Sequence, residues 1–98
     1  MRRKCYWTYI TASKRNGTLY VGATNDLARR AWEDREGIVP GFTKKYGVTM
    51  LVYFDTYDDI NVAINRETRL KFYRCCWKLR LIERVNPEWR DLYETLSA

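Results

Sequence analysis

Short stretches of aromatic and β-branched residues, separated by turn-forming residues, predict three β-strands. The strands are predicted over residues 5–12 (CYWTYITA), 18–22 (TLYVG) and 49–56 (TMLVYFDT). Asn16-Gly17 lies between the first two stretches and is a strong hairpin signal, because both residues readily adopt a positive φ. The first two strands are therefore expected to pair antiparallel.

The hairpin places two tyrosines on one face of the predicted sheet. A two-residue loop would put Ser13 opposite Tyr20, whereas a four-residue loop would put Thr11 there. Side chains alternate between the two faces of a strand, so Tyr9 and Tyr20 share a face in either register. A loop with an odd number of residues would separate them.

Apolar residues recur at helical spacing in three further stretches. The first helix is expected to begin near Asp26, where Thr24 and Asn25 can cap it, and to end at Gly37. The helices are predicted over about residues 26–36, 58–71 and 74–84, with a short helical turn in the loop 40–47 and a turn at 86–87 before the C-terminal segment.

A carboxylate interrupts the apolar stripe of the second predicted helix. Ile60, Ala63 and Ile64 define the stripe, and its continuation reaches Glu67 before Leu70. An unpaired buried charge is costly, so Glu67 is expected to meet a cation. That cation is either a metal ion or a structural Arg or Lys, and the helical spacing does not distinguish the two.

The first predicted helix also turns charged residues towards the sheet. Leu27 and Ala31 define the inner face of this helix. Arg30 lies at an angle between them around the helix axis, and Asp34 follows about one turn later. Arg30 could pair with Glu67 or with Asp34. Taken alone, this pattern favours a structural ion pair.

Composition and charge narrow the class of protein. The 98 residues are expected to form one domain, residues 1–98, and the 18 Lys and Arg against 12 Asp and Glu give a net charge of +6, which favours a polyanionic partner. No apolar stretch predicts a membrane span or a signal peptide, and the three cysteines lack zinc-ligand spacing, so a cytoplasmic protein is expected. The absence of histidine excludes Ser-His-Asp catalysis and histidine-bound metals.

Basic residues are interleaved with aromatic residues in the second half of the chain. This mixture suits phosphate contacts and base stacking, but it is equally typical of a solvated helix face. The basic residues are Lys44, Lys45, Arg66, Arg69, Lys71, Arg74, Lys78 and Arg80, and the aromatic residues are Phe42, Phe72, Tyr73 and Trp77.

A series of short motifs, in order and at matching spacing, resembles the GIY-YIG nuclease family. The resemblance covers nearly the whole chain and is strongest to the short stand-alone bacterial members. The motifs are Trp7-Thr8-Tyr9, Tyr20-Val21-Gly22, Asp26 with Arg30, Glu67 and Asn86, within the segments NGTLYVG, GFTKKYGV, RETRLKFYRCCWK and NPEWRDL.

The resemblance implies an α/β fold of the α+β type, a three-stranded antiparallel sheet flanked by helices, and a metal-dependent endonuclease acting on nucleic acid, with DNA favoured. It implies that Glu67 binds one Mg²⁺ or Mn²⁺ ion and that Arg30 contacts the scissile phosphate. Tyr9 and Tyr20 would be the general base and its support, with Tyr9 slightly preferred as the base. The further substrate contacts expected are Lys14, Lys44, Lys45, Arg69, Lys71 and Asn86.

Two positions depart from the family pattern. Trp7 and Thr8 replace the Gly and Ile of the first motif, and Asp34 stands where many relatives carry a His. An Asp would help a tyrosine lose its proton less well than a His at neutral pH. The alternative is therefore an inactive nucleic-acid-binding module with the same fold, and a protein-interaction module is a third class.

Overall fold

The computed structural model of the chain describes residues 5–37, 41 and 45–96. The loop predicted over 40–47 falls largely outside these residues and stays a prediction. The elements in chain order are β1 Tyr6–Ala12, β2 Leu19–Thr24, α1 Leu27–Glu36, β3 Met50–Tyr57, α2 Ile60–Phe72, α3 Cys75–Val85 and α4 Tyr93–Leu96. None of the helices within the described ranges is long and apolar enough to cross a bilayer.

The three strands form one antiparallel sheet in the order β2-β1-β3, which confirms the predicted fold. The hairpin takes the four-residue loop, because Thr11 pairs with Tyr20. The loop is closed by the Gly17 N–H, which donates to the Lys14 carbonyl at 2.9 Å. Asn16 adopts the left-handed conformation that this turn requires, with φ 58°.

Helices cover both faces of the sheet because β1 is apolar on both sides. Ile10 belongs to a core cluster with Leu70 of α2 and Ile82 of α3. Tyr9, which points the other way, belongs to a second cluster with Leu27 of α1. The central strand is thus buried on both faces, and the edge strand β2 is left between α1 and α2.

The inner face of α2 differs from the predicted stripe. Ala63 and Leu70 are buried, whereas Ile60 and Ile64 are about half exposed, so the predicted apolar stripe is only partly buried. The Thr8 hydroxyl of β1 donates to the Ala63 carbonyl at 2.7 Å in a buried position. This contact brings the helix onto the strand at its smallest residue, and Ile60 and Ile64 line an open cavity beside Ala63 and Glu67.

Helix α1 starts almost directly after β2, close to the predicted start, but its N-cap is Asp26 and not Asn25. The Asp26 carboxylate accepts a hydrogen bond from the Arg29 N–H at 3.2 Å, and the Asp26 N–H donates to the Thr24 hydroxyl at 3.1 Å. Gly37 ends the helix in the left-handed conformation, with φ 66°. The short connection fixes Arg30, one turn into α1, beside the edge of the sheet.

Asn86 has a structural role in place of the predicted substrate contact. Its side-chain amide is buried and donates to the carbonyls of Val52 at 3.2 Å and of Arg90 at 2.9 Å. Its amide oxygen accepts from the Arg90 N–H at 3.1 Å. The side chain therefore joins the C-terminal segment to β3, and its polar atoms are engaged within the protein.

We expect Asn86→Ala to lower the free energy of unfolding by about 2 to 4 kcal/mol, because it removes three hydrogen bonds and leaves buried backbone groups without partners. Urea unfolding followed by circular dichroism measures the change. Asn65→Ala, at an exposed position of α2, is the matched control and should change stability by less than about 0.5 kcal/mol. Equal effects of the two substitutions would contradict the structural role of Asn86.

Candidate active site

The ring of Tyr9 lies across the backbone of Gly22, its neighbour on β2. A Cβ atom at position 22 would come within 2.5 Å of the Tyr9 hydroxyl oxygen and within 2.6 Å of its ring carbon Cζ. Real Cβ atoms do not approach other atoms this closely. Glycine at position 22 is therefore what allows the hydroxyl of Tyr9 to reach the edge of the sheet.

Arg30 is held between the hydroxyl of Tyr9 and the carboxylate of Asp34. Its Nε donates to the Tyr9 hydroxyl at 3.1 Å, and its Nη2 lies 3.5 Å from Asp34 Oδ1. The Asp34 side chain is fully buried. Burial alone disfavours the charge of Arg30, but Tyr9 and Asp34 outweigh it and raise the pKa of the guanidinium.

The buried position of Tyr9 favours the protonated form of its hydroxyl. Burial raises the pKa of Tyr9 far above its usual value, and the positive charge of Arg30 offsets only part of that effect. A general base must be able to lose its proton near neutral pH. The slight preference for Tyr9 as the base, made from the sequence, is therefore not supported by its surroundings.

Tyr9, Tyr20, Arg30 and Glu67 line one open cleft of about 390 Å³. The cleft runs along β2, between α1 and α2, so the strand parity and helix positions expected from the sequence do bring these side chains together. Tyr20 is only partly buried. The remaining residues around the cleft are Gly22, Ala23, Thr24, Asn25, Asp26, Arg29 and Glu33.

Glu67 pairs with Lys71, one turn later on α2, and Arg30 is not its partner. Glu67 Oε1 lies 2.8 Å from Lys71 Nζ, and the two side chains are 21% and 50% exposed. The hydrogen bond to Glu67 raises the pKa of Lys71. An ion pair this accessible to solvent contributes at most about 1 kcal/mol, so Glu67 can exchange Lys71 for another cation at low cost.

The oxygen donors of the cleft fit a loosely held Mg²⁺ ion better than a closed metal site. The chain has no histidine, and no group of three or more Cys, Asp or Glu side chains within residues 5–37, 41 and 45–96 is arranged to hold a metal. Mg²⁺ is commonly bound through one or two carboxylates, with waters and substrate phosphates completing its octahedron. Glu67 is an accessible carboxylate of this kind, and Asp26 and Glu33 also line the cleft.

The basic residues predicted to bind substrate are spread over several surfaces. Lys71 lies at the cleft, through its contact with Glu67. Lys14 and Lys45 are exposed and do not line the cleft, and Arg69 lines a different cavity. The prediction for Lys44 lies outside the described residues.

Sequence reasoning missed Arg29 and Glu33, which line the cleft beside Arg30. Arg29 Nε lies 4.0 Å from Glu33 Oε1. The four-residue spacing of these two residues on a predicted helix was a usable signal, since it puts them on one face. Their orientation towards β2 depends on how α1 packs, which helical periodicity alone does not determine.

Comparison with known proteins agrees with this arrangement. A family model described as the GIY-YIG catalytic domain matches residues 5–72, which include every side chain of the cleft. The chain therefore belongs to the GIY-YIG family, a family of nucleases.

Relatives of similar length share the sequence and the fold. The chain is 31% identical to a UPF0213 protein of Staphylococcus saprophyticus over 77 residues, covering 79% of this chain and 93% of the relative. It is 31% identical to a UPF0213 protein of Haloquadratum walsbyi over 78 residues, covering 80% and 86%. The solution NMR structure of a UPF0213 protein from Bacillus halodurans has the same fold, with a TM-score of 0.55 and 22% identity over 89% of this chain and 92% of that one.

We expect the stability of the protein to fall as the pH rises above 10, and to fall less in Tyr9→Phe. Unfolded Tyr9 ionises near pH 10, whereas folded Tyr9 keeps its proton, so the unfolded state binds fewer protons and is favoured. The free energy of unfolding contributed by Tyr9 should decrease by about 1 kcal/mol between about pH 9 and about pH 11. Urea unfolding at several pH values measures this loss.

Tyr46→Phe is the control, because it removes an exposed phenol from another part of the surface. It should keep the pH dependence of the wild type. If Tyr9→Phe also keeps that dependence, the buried and protonated state assigned to Tyr9 is incorrect.

Proposed function

We propose that this protein is a metal-dependent endonuclease that hydrolyses phosphodiester bonds in nucleic acid, with DNA as the favoured substrate. The observation that carries the proposal is the cleft itself, which is lined by an anchored guanidinium, a partly exposed phenol and an accessible carboxylate. Membership of the GIY-YIG family supports a nuclease. Phosphodiester hydrolysis requires these three kinds of group for charge stabilisation, proton transfer and metal binding.

Arg30 binds the scissile phosphate. Its contacts with Tyr9 and Asp34 use Nε and Nη2, so Nη1 is still able to donate to phosphate oxygens. A planar guanidinium matches the geometry of non-bridging phosphate oxygens better than an ammonium group does. Because the side chain is already anchored, little reorganisation is needed when charge develops in the transition state.

Tyr20, and not Tyr9, accepts the proton of the attacking water. Tyr9 is buried and keeps its own proton, so its part is to orient Arg30. Tyr20 is partly exposed on the same face of the sheet and lines the cleft. Lys71 lies close enough to Tyr20 for an electrostatic interaction, which places a positive charge beside this side chain.

Glu67 holds the divalent ion. When bound, Mg²⁺ or Mn²⁺ supplies charge stabilisation at the phosphate and the leaving oxygen. Lys71, released from its pair with Glu67, stays beside the cleft and can contact the nucleic-acid backbone. Asp34, at the position of a His in many relatives, is buried against Arg30 and does not line the cleft. Its part is to hold Arg30, and proton transfer falls to Tyr20.

A second candidate function is a nucleic-acid-binding module that does not cleave. The observation that favours it is the 2.8 Å contact between Glu67 and Lys71, which neutralises the carboxylate without a metal. In this alternative the ion pair is permanent and Arg30 serves only to bind phosphate.

We expect Glu67→Gln to abolish Mg²⁺-dependent cleavage and to leave nucleic-acid binding nearly unchanged, because the amide is a poor metal ligand while the basic surface is intact. Cleavage should be measured on duplex, single-stranded and branched DNA and on RNA, with binding by fluorescence anisotropy in the same preparation. The free energy of unfolding should change by less than about 1 kcal/mol, since Lys71 is half exposed.

Glu88→Gln is the matched control, because it removes one carboxylate from an exposed pair with Arg90. It should cleave at the wild-type rate. A wild-type protein that binds these substrates but cleaves none of them in Mg²⁺ or Mn²⁺ would establish the binding module instead.

A further inference from the structure

Three aromatic side chains are exposed where α2 ends and α3 begins. Phe72, the last residue of α2, is 85% exposed, and Trp77, in the first turn of α3, is 54% exposed. Tyr73 lies between the helices and is also exposed. We name these three residues the aromatic corner. Large apolar groups concentrated at the surface indicate a contact site, because burying them against a partner is favourable.

The charge around the aromatic corner indicates what kind of partner it contacts. Residues 66–84 contain seven Lys and Arg and two Asp and Glu, so this segment carries +5 of the net charge of +6. The other 79 residues are almost neutral, with 11 basic and 10 acidic residues. A basic surface with exposed aromatic rings matches a polyanion that also presents flat apolar groups.

Two guanidinium groups hold two of the rings. Arg66 lies 5.9 Å from the centroid of the Tyr73 ring, and its Nη1 donates to the Tyr73 hydroxyl at 3.4 Å. Arg80 lies 5.2 Å from the centroid of the Trp77 ring. The Tyr73 and Trp77 rings are thus each stabilised by a guanidinium of the protein. The same guanidinium groups can donate hydrogen bonds to a phosphate.

The aromatic corner lies just beyond the cleft along α2, with Lys71 between Glu67 and Phe72 in the chain. Glu67 lies in the cleft, Lys71 pairs with it, and Phe72 is the next residue. Phe72 lies five positions after Glu67, about 7.5 Å further along the helix axis and about 140° around it, and this rise equals about two base steps of a B-form strand. Lys78 Nζ donates to the Lys71 carbonyl at 3.4 Å, which fixes the start of α3 against this end of α2.

We propose that the aromatic corner is a second nucleic-acid contact, on which unpaired bases of a single-stranded segment stack while the adjoining phosphodiester lies in the cleft. Bases within a duplex are stacked on one another and present only their edges, so exposed rings select unpaired bases. The placement of the strand in the cleft rests on the proposed function. The stacking contact itself requires no cleavage.

A second copy of this chain is the competing occupant of the aromatic corner. A two-fold dimer through this surface would bring two segments of charge +5 together. Like charges oppose such a contact, whereas the phosphates of a nucleic acid neutralise it. The charge distribution therefore favours nucleic acid.

Binding in EDTA tests the proposal without cleavage. The probes are a fluorescein-labelled oligo(dT) of about twelve nucleotides and a DNA duplex of the same length, with affinity measured by anisotropy. We expect Phe72→Ala and Trp77→Ala each to weaken oligo(dT) binding about tenfold, the size of one lost base–aromatic stack, and duplex binding less than about twofold. Trp77→Phe should retain most of the affinity, because any aromatic ring can stack.

Trp32→Ala is the matched control, since Trp32 on α1 is 44% exposed but is not part of the aromatic corner. It should leave both affinities unchanged. The proposal is overturned if Phe72→Ala and Trp77→Ala bind oligo(dT) as the wild type does, or if Trp32→Ala loses as much. It is also overturned if sedimentation shows a dimer that Phe72→Ala dissociates while oligo(dT) binding persists.

The outcomes separate this proposal from the proposed function. A protein that binds oligo(dT) through the aromatic corner but cleaves no substrate retains this inference and loses the nuclease assignment. A protein that cleaves in Mg²⁺, with oligo(dT) binding insensitive to Phe72 and Trp77, retains the nuclease assignment and loses this inference.

Discussion

The site depends on the pair between Arg30 and the buried carboxylate of Asp34. A carboxylate without access to water must be neutralised, because its desolvation is costly. Arg30 supplies the positive charge from one turn earlier on α1, and in doing so it presents Nε to the Tyr9 hydroxyl. The fold therefore fixes the guanidinium before any substrate arrives. Gly22 completes the arrangement, since only a residue without a Cβ lets the Tyr9 ring lie where Arg30 can reach it.

Glu67, the carboxylate of the proposed site, is held loosely, whereas Arg30 is anchored. Glu67 is partly exposed and its partner Lys71 is more so, so their pair can separate at little cost. A rigid cation and an exchangeable anion are what a site needs if it is to bind a phosphate directly and a metal ion only together with substrate. In the proposed function, the Arg30–Asp34 pair positions the guanidinium and the Glu67–Lys71 pair leaves a carboxylate that can exchange its partner for a metal ion.

Local sequence patterns predicted those parts of the fold that depend on interactions between residues close together in the chain. The parity of Tyr9 and Tyr20 followed from the alternation of side chains in a hairpin, whichever register the loop took. Gly37 marked the end of α1, and the polar residues before Leu27 marked its start to within one residue, because a left-handed residue and a cap satisfy groups of the same helix. These predictions hold because nothing distant in sequence competes with them.

The sequence alone did not predict the features that depend on contacts between secondary-structure elements. Helical periodicity left two possible partners for Arg30, Glu67 and Asp34. The packing of α1 against the sheet makes Asp34 the partner. The sequence could not reveal that burial raises the pKa of Tyr9 and so disfavours it as the base, because burial is a property of the assembled core. Ile64 is half exposed for a similar reason. The contact of α2 with the sheet sets the orientation of this helix, and the apolar residues of α2 alone do not determine it.

The most direct test of the proposed mechanism is the single-turnover rate of phosphodiester cleavage in Mg²⁺ by the wild type and by Arg30→Lys. We predict metal-dependent cleavage by the wild type and a loss of about a hundredfold or more in Arg30→Lys, because lysine keeps the charge but not the anchored fork. Thermal melts would verify that the variant remains folded. Cleavage by a folded Arg30→Lys variant at the wild-type rate would contradict the role of the anchored guanidinium in binding the scissile phosphate.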